Sequence, residues 1–231
     1  DMSWLTANEP KGTYPQSWYA ANADILPPFP PVAIDTRAEV CVIGGGFTGL
    51  SAALHLAAAG RDVILIEANR VGFGASGRNG GQIGSGYNWS QKDLQDKLGA
   101  KPARALWDMS QAAKALVTEM IETHAPEAAY HPGIIHADNS RSGVKHSHAD
   151  AEWLAQEYGY DQISPLNADE ISAITGSKAH RGGTLDMGAG YCQPLAYALG
   201  LARAAAKAGA RIHEGARVRK ISGSGPYQLR T

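Results

Sequence analysis

One glycine motif, placed between a strand pattern and a helix pattern, constrains the fold of this chain more than any other feature. The motif Gly-x-Gly-x-x-Gly occupies positions 44–49, after the mostly apolar run 38–43 and at the start of the helical pattern 47–59. A second apolar run, 63–66, contains no polar residue. Uninterrupted apolar runs are typical of strands buried in a parallel sheet. The order strand, helix, strand predicts a right-handed βαβ unit.

The spacing of these glycines suits the binding of a dinucleotide. Gly44 permits a tight turn, Gly46 lets the backbone approach a pyrophosphate, and Gly49 allows the helix to pack closely. The N–H groups at the start of the helix attract an anion. Glu67 ends the second strand, where its carboxylate can accept hydrogen bonds from an adenosine ribose and would repel a 2′-phosphate, which disfavours NADPH. The motif predicts dinucleotide binding but does not decide between NAD and FAD.

The segment that favours FAD follows Glu67 directly. The run 70–82 is rich in glycine and has no helical or strand periodicity, which predicts a long loop with accessible backbone amides. Together with 42–57 and weaker matches at 19–21 and 194–196, this run resembles the D-amino-acid-oxidase-like flavoprotein superfamily, particularly its γ-glutamylputrescine oxidoreductase type. The resemblance implies that FAD is the cofactor and that the loop passes along the pyrophosphate towards the isoalloxazine ring.

Spacing and resemblance together predict a set of cofactor-binding residues. The resemblance implies that Thr48, Ser76 and Arg78 contact phosphates. It also implies that 79–82 line the flavin and that the backbone of Val218 meets the adenine. The full predicted set is Gly44, Gly46, Phe47, Thr48, Gly49, Glu67, Ala68, Arg70, Gly74, Ala75, Ser76, Arg78, Asn79, Gly80, Gly81, Gln82 and Val218. No catalytic acid or base is assigned.

The pattern along the chain predicts an α/β architecture with three regions. Residues 1–36 are rich in proline and predict an extended arm. Residues 37–87 and 186–231 are expected to form a Rossmann-like FAD-binding domain, in which helices flank a parallel sheet. Residues 88–185 are expected to form an inserted α+β domain on the substrate side. Because the chain stops within an expected strand, we expect it to be the N-terminal part of a longer flavoprotein.

Helical periodicity and capping residues predict the remaining elements. Helices are expected at 103–123, 148–158 and 194–207, with short helices capped at Ser90 and Asn167. Strands are expected at 130–138, 183–186, 211–213, 218–221 and 227–230.

Composition limits the possible partners and locations. The 21 Lys and Arg residues and 22 Asp and Glu residues give a formal net charge of −1, without a basic stripe, which argues against nucleic-acid binding. The sequence shows no membrane-spanning run and no leader, so a cytoplasmic location is expected. Cys41 and Cys192 lack disulfide or metal spacing, and Cys41 is expected to be buried. His146 and His148 are expected on a solvated surface, with no metal bound.

The resemblance also implies a reaction. It implies oxidation of the C–N bond of an amine or amino acid, with a γ-glutamylputrescine-like substrate, as in polyamine or putrescine catabolism. Hydride would pass to flavin N5, and molecular oxygen as acceptor would give hydrogen peroxide, ammonia and an aldehyde or keto acid. Two alternatives stay open at this point. One is a nicotinamide-dependent dehydrogenase, and the other is a non-catalytic FAD-binding subunit that needs a complementary C-terminal polypeptide.

Overall fold

The computed structural model describes residues 12–32 and 34–231, which form two compact units. The first unit comprises the described residues up to Gly80 together with Met120–Ala129 and Gln193–Thr231. The second unit comprises Gly81–Glu119 and Tyr130–Cys192.

A three-stranded parallel sheet forms the centre of the first unit. Its strands are β1 (Val40–Ile43), β2 (Val63–Ile66) and β7 (Arg211–His213), in the order β1-β2-β7. The helix α2 (Phe47–Ala58) connects β1 to β2, which confirms the expected βαβ unit. All residues of β2 are buried, whereas those of β1 alternate between half-buried and exposed. The expectation of a fully buried strand is therefore wrong for β1.

The two cysteines lie in different environments. Cys41 is exposed, so the expectation that it is a small buried residue is wrong. Its neighbours Val40 and Val42 occupy the inward positions of the pleat, which leaves Cys41 on the opposite side. Cys192 is buried, and burial raises the pKa of its thiol to about 11. This thiol is therefore protonated at neutral pH and a poor nucleophile.

The helix α7 (Pro194–Lys207) packs against α2 and is buried along most of its length. The side chain of Gln193 caps its start, since its oxygen accepts a hydrogen bond from the Ala196 N–H at 2.8 Å. Gly200 lies so close to Ala125 that an added Cβ would overlap the alanine side chain. Close contact through small residues thus brings 120–129 into the first unit, although the sequence placed this segment in the inserted domain.

An antiparallel sheet with one long strand forms the centre of the second unit. The strand β6 (Gly182–Tyr191) pairs with β4 (His131–Asp138) along one edge. Its other edge pairs with β5 (Ile163–Asn167) and, near its end, with β3 (Gln82–Ile83). The strand expected at 183–186 therefore continues to Tyr191. Because this sheet includes β3 and the whole of β6, the unit extends beyond the expected bounds of 88 and 185.

Four helices accompany this sheet or lead to it: α3 (Gln91–Leu98), α4 (Ala100–His124), α5 (Arg141–Tyr158) and α6 (Ala168–Thr175). The two capping predictions are confirmed. Ser90 accepts a hydrogen bond from the Asp93 N–H at 3.1 Å, and Asn167 forms a capping box with Glu170. Both caps satisfy N–H groups that have no partner inside the helix.

The helix α5 begins seven residues before the expected start at 148, because Ser140 caps it by accepting a hydrogen bond from the Gly143 N–H at 3.0 Å. Its first two turns are polar and lack the apolar periodicity that reveals a helix. His148 is half-buried, with Nε2 2.9 Å from the Gly183 carbonyl oxygen. The expectation of a solvated surface is therefore wrong for His148, whereas His146 is exposed and pairs with Asp150 at 3.2 Å.

Of the expected arm 1–36, residues 1–11 and 33 lie outside the described residues. The described part contains one short helix, α1 (Trp18–Ala21), and otherwise runs as irregular backbone. The Tyr14 hydroxyl donates a hydrogen bond to the Val71 carbonyl at 2.7 Å. Burial raises the pKa of Tyr14, so this hydroxyl keeps its proton and remains a donor. The arm is therefore attached to the loop that follows β2.

The segment after β7 ends in an antiparallel hairpin. Its strands are β8 (Lys220–Ser222) and β9 (Gln228–Arg230), which lie close to the strands expected at 218–221 and 227–230.

A buried ion pair connects three segments of the first unit. Glu214, directly after β7, lies 2.8 Å from Arg70 Nε, and both side chains are more than nine-tenths buried. The Glu214 carboxylate also accepts hydrogen bonds from the Phe29 N–H at 2.9 Å and the Val71 N–H at 2.7 Å. Arg70 in turn donates to the Leu26 carbonyl at 2.6 Å. The arm, the loop after β2 and the end of β7 are held by one charge network.

We expect Glu214→Gln to reduce the free energy of unfolding by about 3–5 kcal/mol, because it leaves the buried charge of Arg70 without its partner. Glu39→Gln is the matched control, since Glu39 pairs with Arg61 on the surface and its loss should cost less than about 1 kcal/mol. Urea denaturation followed by tryptophan fluorescence measures both values. Equal losses in the two variants would contradict this role of Glu214.

Candidate functional site

A cavity of about 240 Å³ opens in the first unit. It lies where the start of α2, the end of β2 and the loop after β2 meet. Small side chains and exposed backbone form most of its wall. Its lining residues are Gly45, Gly46, Glu67, Ala68, Asn69, Phe73, Gly74, Ala75, Ser76 and Arg217.

The glycine turn before α2 depends on a left-handed backbone at Gly44 and on close contacts at Gly46 and Gly49. Gly44 has a φ of +102°, a region that L-residues with a side chain rarely adopt. A Cβ on Gly49 would overlap the Gly44 carbonyl oxygen. The first turn of α2 therefore packs directly on the backbone that leaves β1. A Cβ on Gly46 would lie 2.9 Å from Ser76 Oγ, so this glycine also brings the loop after β2 against the helix start.

Donor groups at the start of α2 face this turn. The Ser76 hydroxyl oxygen accepts a hydrogen bond from the Phe47 N–H at 3.0 Å. Within the described chain, the N–H groups of Gly46 and Thr48 donate to no protein acceptor. Unpaired N–H groups at a helix N-terminus and the positive end of the helix dipole stabilise a bound anion. The local geometry is that of an anion site built from backbone.

The Glu67 carboxylate closes the other side of the turn. Its Oε2 accepts a hydrogen bond from the Gly45 N–H at 2.7 Å, and its Oε1 accepts one from the Asn69 N–H at 2.7 Å. Each carboxylate oxygen has two acceptor positions, so both oxygens can accept a further hydrogen bond. The carboxylate is thus oriented by the backbone and still able to accept hydroxyl donors from a ligand in the cavity.

The loop after β2 is more regular than the sequence indicated. Ala75–Gly77 form a turn of 3-10 helix, and Gln82 belongs to β3, so the expectation of a loop without regular structure is wrong for these two segments. Arg78 Nε donates a hydrogen bond to the Phe73 carbonyl at 2.7 Å, and its guanidinium lies 4.5 Å from the centre of the Phe73 ring. Asn79 donates to the carbonyls of Ala75 and Ser76, both at 3.0 Å. These local contacts explain the turn.

The chain matches the family model of FAD dependent oxidoreductases over residues 39–231. The chain belongs to this family. It is 38% identical to the probable oxidoreductase OrdL of Rhizobium meliloti over 97% of this chain and 51% of that protein. It is 37% identical to the γ-glutamylputrescine oxidoreductase of Escherichia coli over 93% of this chain and 50% of that protein. The chain therefore spans about half the length of these relatives.

Solved structures show the same fold. The L-amino acid deaminase of Proteus myxofaciens superposes with a TM-score of 0.69 at 22% identity, covering 88% of this chain and 44% of that one. The glycine oxidase of Geobacillus kaustophilus superposes with a TM-score of 0.67 at 24% identity, covering 84% of this chain and 51% of that one. The expected fold class and the superfamily resemblance are confirmed. Membership of an FAD-dependent family also settles the choice between NAD and FAD in favour of FAD.

The residues predicted to bind FAD fall into two groups. Six line the cavity: Gly46, Glu67, Ala68, Gly74, Ala75 and Ser76. The others do not line it: Gly44, Phe47, Thr48, Gly49, Arg70, Arg78, Asn79, Gly80, Gly81, Gln82 and Val218. Among the latter, Gly44, Phe47 and Gly49 shape the glycine turn, and Arg70 is buried against Glu214.

Four cavity residues were not predicted: Gly45, Asn69, Phe73 and Arg217. Arg217 could have been found as the charged residue next to Val218, whose backbone was predicted to meet the adenine. Nothing in the sequence distinguishes Asn69 or Phe73, because their positions depend on how the loop folds back.

The cavity fits the adenosine and diphosphate end of FAD. A wall of glycine and alanine backbone, unpaired N–H groups and an oriented carboxylate are the features that a phosphate and a ribose require. A volume of about 240 Å³ lies below the usual range for a drug-sized ligand, so it suits part of the dinucleotide. In the described part of the chain, no group of three or more His, Cys, Asp or Glu residues could hold a metal. No helix among the described residues has the length and apolar character needed to cross a bilayer.

We expect Gly49→Ala to lower the free energy of unfolding of the flavin-free protein by about 2–3 kcal/mol, because the new methyl group must displace the Gly44 backbone. Gly74→Ala is the control, since a Cβ there meets no atom within 4 Å and its effect should stay within about 0.5 kcal/mol. Chemical denaturation without FAD separates packing from cofactor binding. A Gly49→Ala protein as stable as the wild type would show that the turn relaxes without cost.

Proposed function

We propose that this protein is an FAD-dependent oxidoreductase that oxidises the C–N bond of an amine or amino acid. The observation that carries the FAD part of the proposal is the convergence of the Ser76 hydroxyl, the start of α2 and the Glu67 carboxylate on one cavity. The adenosine diphosphate half of FAD requires an anion site at the start of the helix of a βαβ unit and a ribose acceptor at the end of its second strand. Membership of the FAD-dependent family supports the assignment.

In this proposal, the N–H groups of Gly46 and Thr48 donate to the diphosphate, while Ser76 fixes the position of the helix start through its hydrogen bond with the Phe47 N–H. Glu67 accepts hydrogen bonds from the adenosine ribose, and Ala68 borders it. Further along the loop, 79–82 line the flavin, as the resemblance implies. The Val218 backbone meets the adenine. Arg70 and Arg78 act indirectly, since each is engaged with protein groups that hold the loop.

The substrate class rests on the relatives. One is named for γ-glutamylputrescine, and solved structures with the same fold include amino acid deaminases and glycine oxidases. We therefore propose a primary or secondary amine, with a γ-glutamylputrescine-like compound as the first candidate and polyamine catabolism as its setting. A cytoplasmic location and dependence on a complementary polypeptide stay predictions.

Bound FAD would supply the redox chemistry, by taking up at flavin N5 the hydride that a neutral amine loses from its carbon. Water would then convert the imine into an aldehyde or keto acid, with ammonia released from a primary amine and an amine released from a secondary one. Molecular oxygen, as the proposed acceptor of the electrons, would be reduced to hydrogen peroxide. The described residues contribute binding and orientation. The small side chains at Gly74 and Ala75 leave room for the cofactor beside the backbone, and Glu67 fixes the adenosine end. A rigid anchor at this end limits the positions that the rest of the cofactor can adopt.

The expected result for the purified full-length protein is a flavin absorption spectrum that disappears under anaerobic conditions on addition of an amine. A screen of γ-glutamylputrescine, putrescine, glycine and proline identifies the preferred class. Peroxide release on readmission of air tests oxygen as the acceptor. Protein that holds FAD but keeps its absorption with every amine and amino acid would contradict the proposed reaction.

The ribose contact can be tested with adenine nucleotides alone. We expect flavin-free wild-type protein to bind ADP about tenfold more tightly than 2′-deoxy-ADP, because Glu67 accepts a hydrogen bond from the 2′-hydroxyl. Glu67→Gln should lose most of this preference. Glu39→Gln, which removes an exposed carboxylate that does not line the cavity, should keep it. If Glu67→Gln weakens both nucleotides by the same factor, the carboxylate holds the turn and does not contact the ribose.

A further inference from the structure

The segment after β7 is fixed to the end of β2 by successive hydrogen bonds. The Gly215 N–H donates to the Asn69 carbonyl at 3.0 Å, and the Ala216 N–H donates to the Glu67 carbonyl at 3.0 Å. Glu214, just before them, is held by Arg70 in the buried ion pair. The backbone that carries the next residue, Arg217, therefore has a defined position beside the two cavity residues Glu67 and Asn69.

The Arg217 side chain lies in different surroundings from its neighbours. Ala216 is buried in an apolar cluster with Ile64 and Ile66 of β2, and Val218 packs against the same cluster. Arg217, between these two residues, is exposed and lines the cavity. Within the described chain, its side chain makes no ion pair or hydrogen bond.

The charges around the cavity make this arginine significant. Among the described residues that line it, Glu67 is the acid, Arg217 is the base, and all others are neutral. A diphosphate that enters the cavity brings negative charge next to the Glu67 carboxylate. The helix dipole of α2 supplies only about half a positive charge against this repulsion. Without Arg217, the described lining would be negative before the ligand arrived.

We infer that Arg217 is a cofactor-binding residue whose guanidinium offsets the Glu67 charge and attracts the diphosphate of the dinucleotide. This inference rests on the proposed binding of FAD in this cavity. It assigns different parts of the ligand to the two charged residues. Glu67 acts on the ribose hydroxyls, and Arg217 acts on the phosphate charge.

The test compares ADP with adenosine, which differ in the diphosphate, by calorimetric titration of the flavin-free full-length protein. For Arg217→Ala, we expect ADP and FAD to bind about five- to tenfold more weakly and adenosine to bind within twofold of wild type. The loss for ADP should shrink as salt is raised, because ions screen an exposed charge. Arg217→Lys keeps the charge and should bind ADP within about threefold of wild type.

Arg219→Ala is the matched control, since it removes the same charge two residues away from a side chain that is exposed and does not line the cavity. Its affinity for ADP should stay within twofold of wild type, and unchanged melting temperatures show that all variants fold. The inference is overturned by an Arg217→Ala protein with unchanged ADP affinity, by an equal loss for adenosine, by an equal loss in Arg219→Ala, or by a lysine variant as weak as the alanine variant. Wild-type protein that binds neither FAD nor ADP would instead refute the proposed cofactor site.

Discussion

A buried carboxylate, Glu214, holds together three segments of the first unit, two of which lead into the wall of the cavity. Its carboxylate accepts hydrogen bonds from the N–H groups of Phe29 in the arm and Val71 in the loop after β2, and it pairs with Arg70. These segments are far apart in sequence, so their association costs conformational entropy that local contacts cannot offset. A charge buried with three partners is satisfied only when all of them are present. The network therefore favours one arrangement of the arm, the loop after β2 and the end of β7.

Two arginines in this unit show how the same side chain serves opposite purposes. Arg70 is buried, pairs with Glu214 and donates a hydrogen bond to the Leu26 carbonyl. Its charge is therefore neutralised by a protein group and is not available to a ligand. Arg217 lies on the cavity and has no ion pair in the described chain. The sequence analysis included Arg70 in the cofactor set as the first residue of the glycine-rich run 70–82. Burial and pairing decide which arginine can meet a ligand, and neither is visible in a local motif.

The sequence predicted the parts of the fold whose signals are local. The βαβ unit follows from two apolar runs and a glycine motif, and the caps at Ser90 and Asn167 follow from side chains three residues from their partners. Features that depend on distant pairing were missed. The length of β6 is set by its partners β3, β4 and β5, and the position of His148 depends on the Gly183 carbonyl. The exposure of Cys41 depends on which side of β1 is covered.

In the proposed complex with FAD, the cavity must meet two requirements that conflict electrostatically. A ribose hydroxyl is best held by a carboxylate, but the adjoining diphosphate is repelled by it. Two positively charged elements lie at the cavity, the N-terminus of α2 and the side chain of Arg217. In the part of the chain that the structure describes, Arg217 forms no ion pair with Glu67, so the carboxylate oxygens stay available to a ligand. Hydrogen bonds from Gly45 and Asn69 also spread the carboxylate charge over the backbone. The Ser76 hydroxyl oxygen accepts a hydrogen bond from the Phe47 N–H in the first turn of α2. An anion bound at the start of α2 would therefore also stabilise the folded loop after β2. Ligand affinity and loop order are thus thermodynamically linked, and occupancy of the cavity stabilises the first unit.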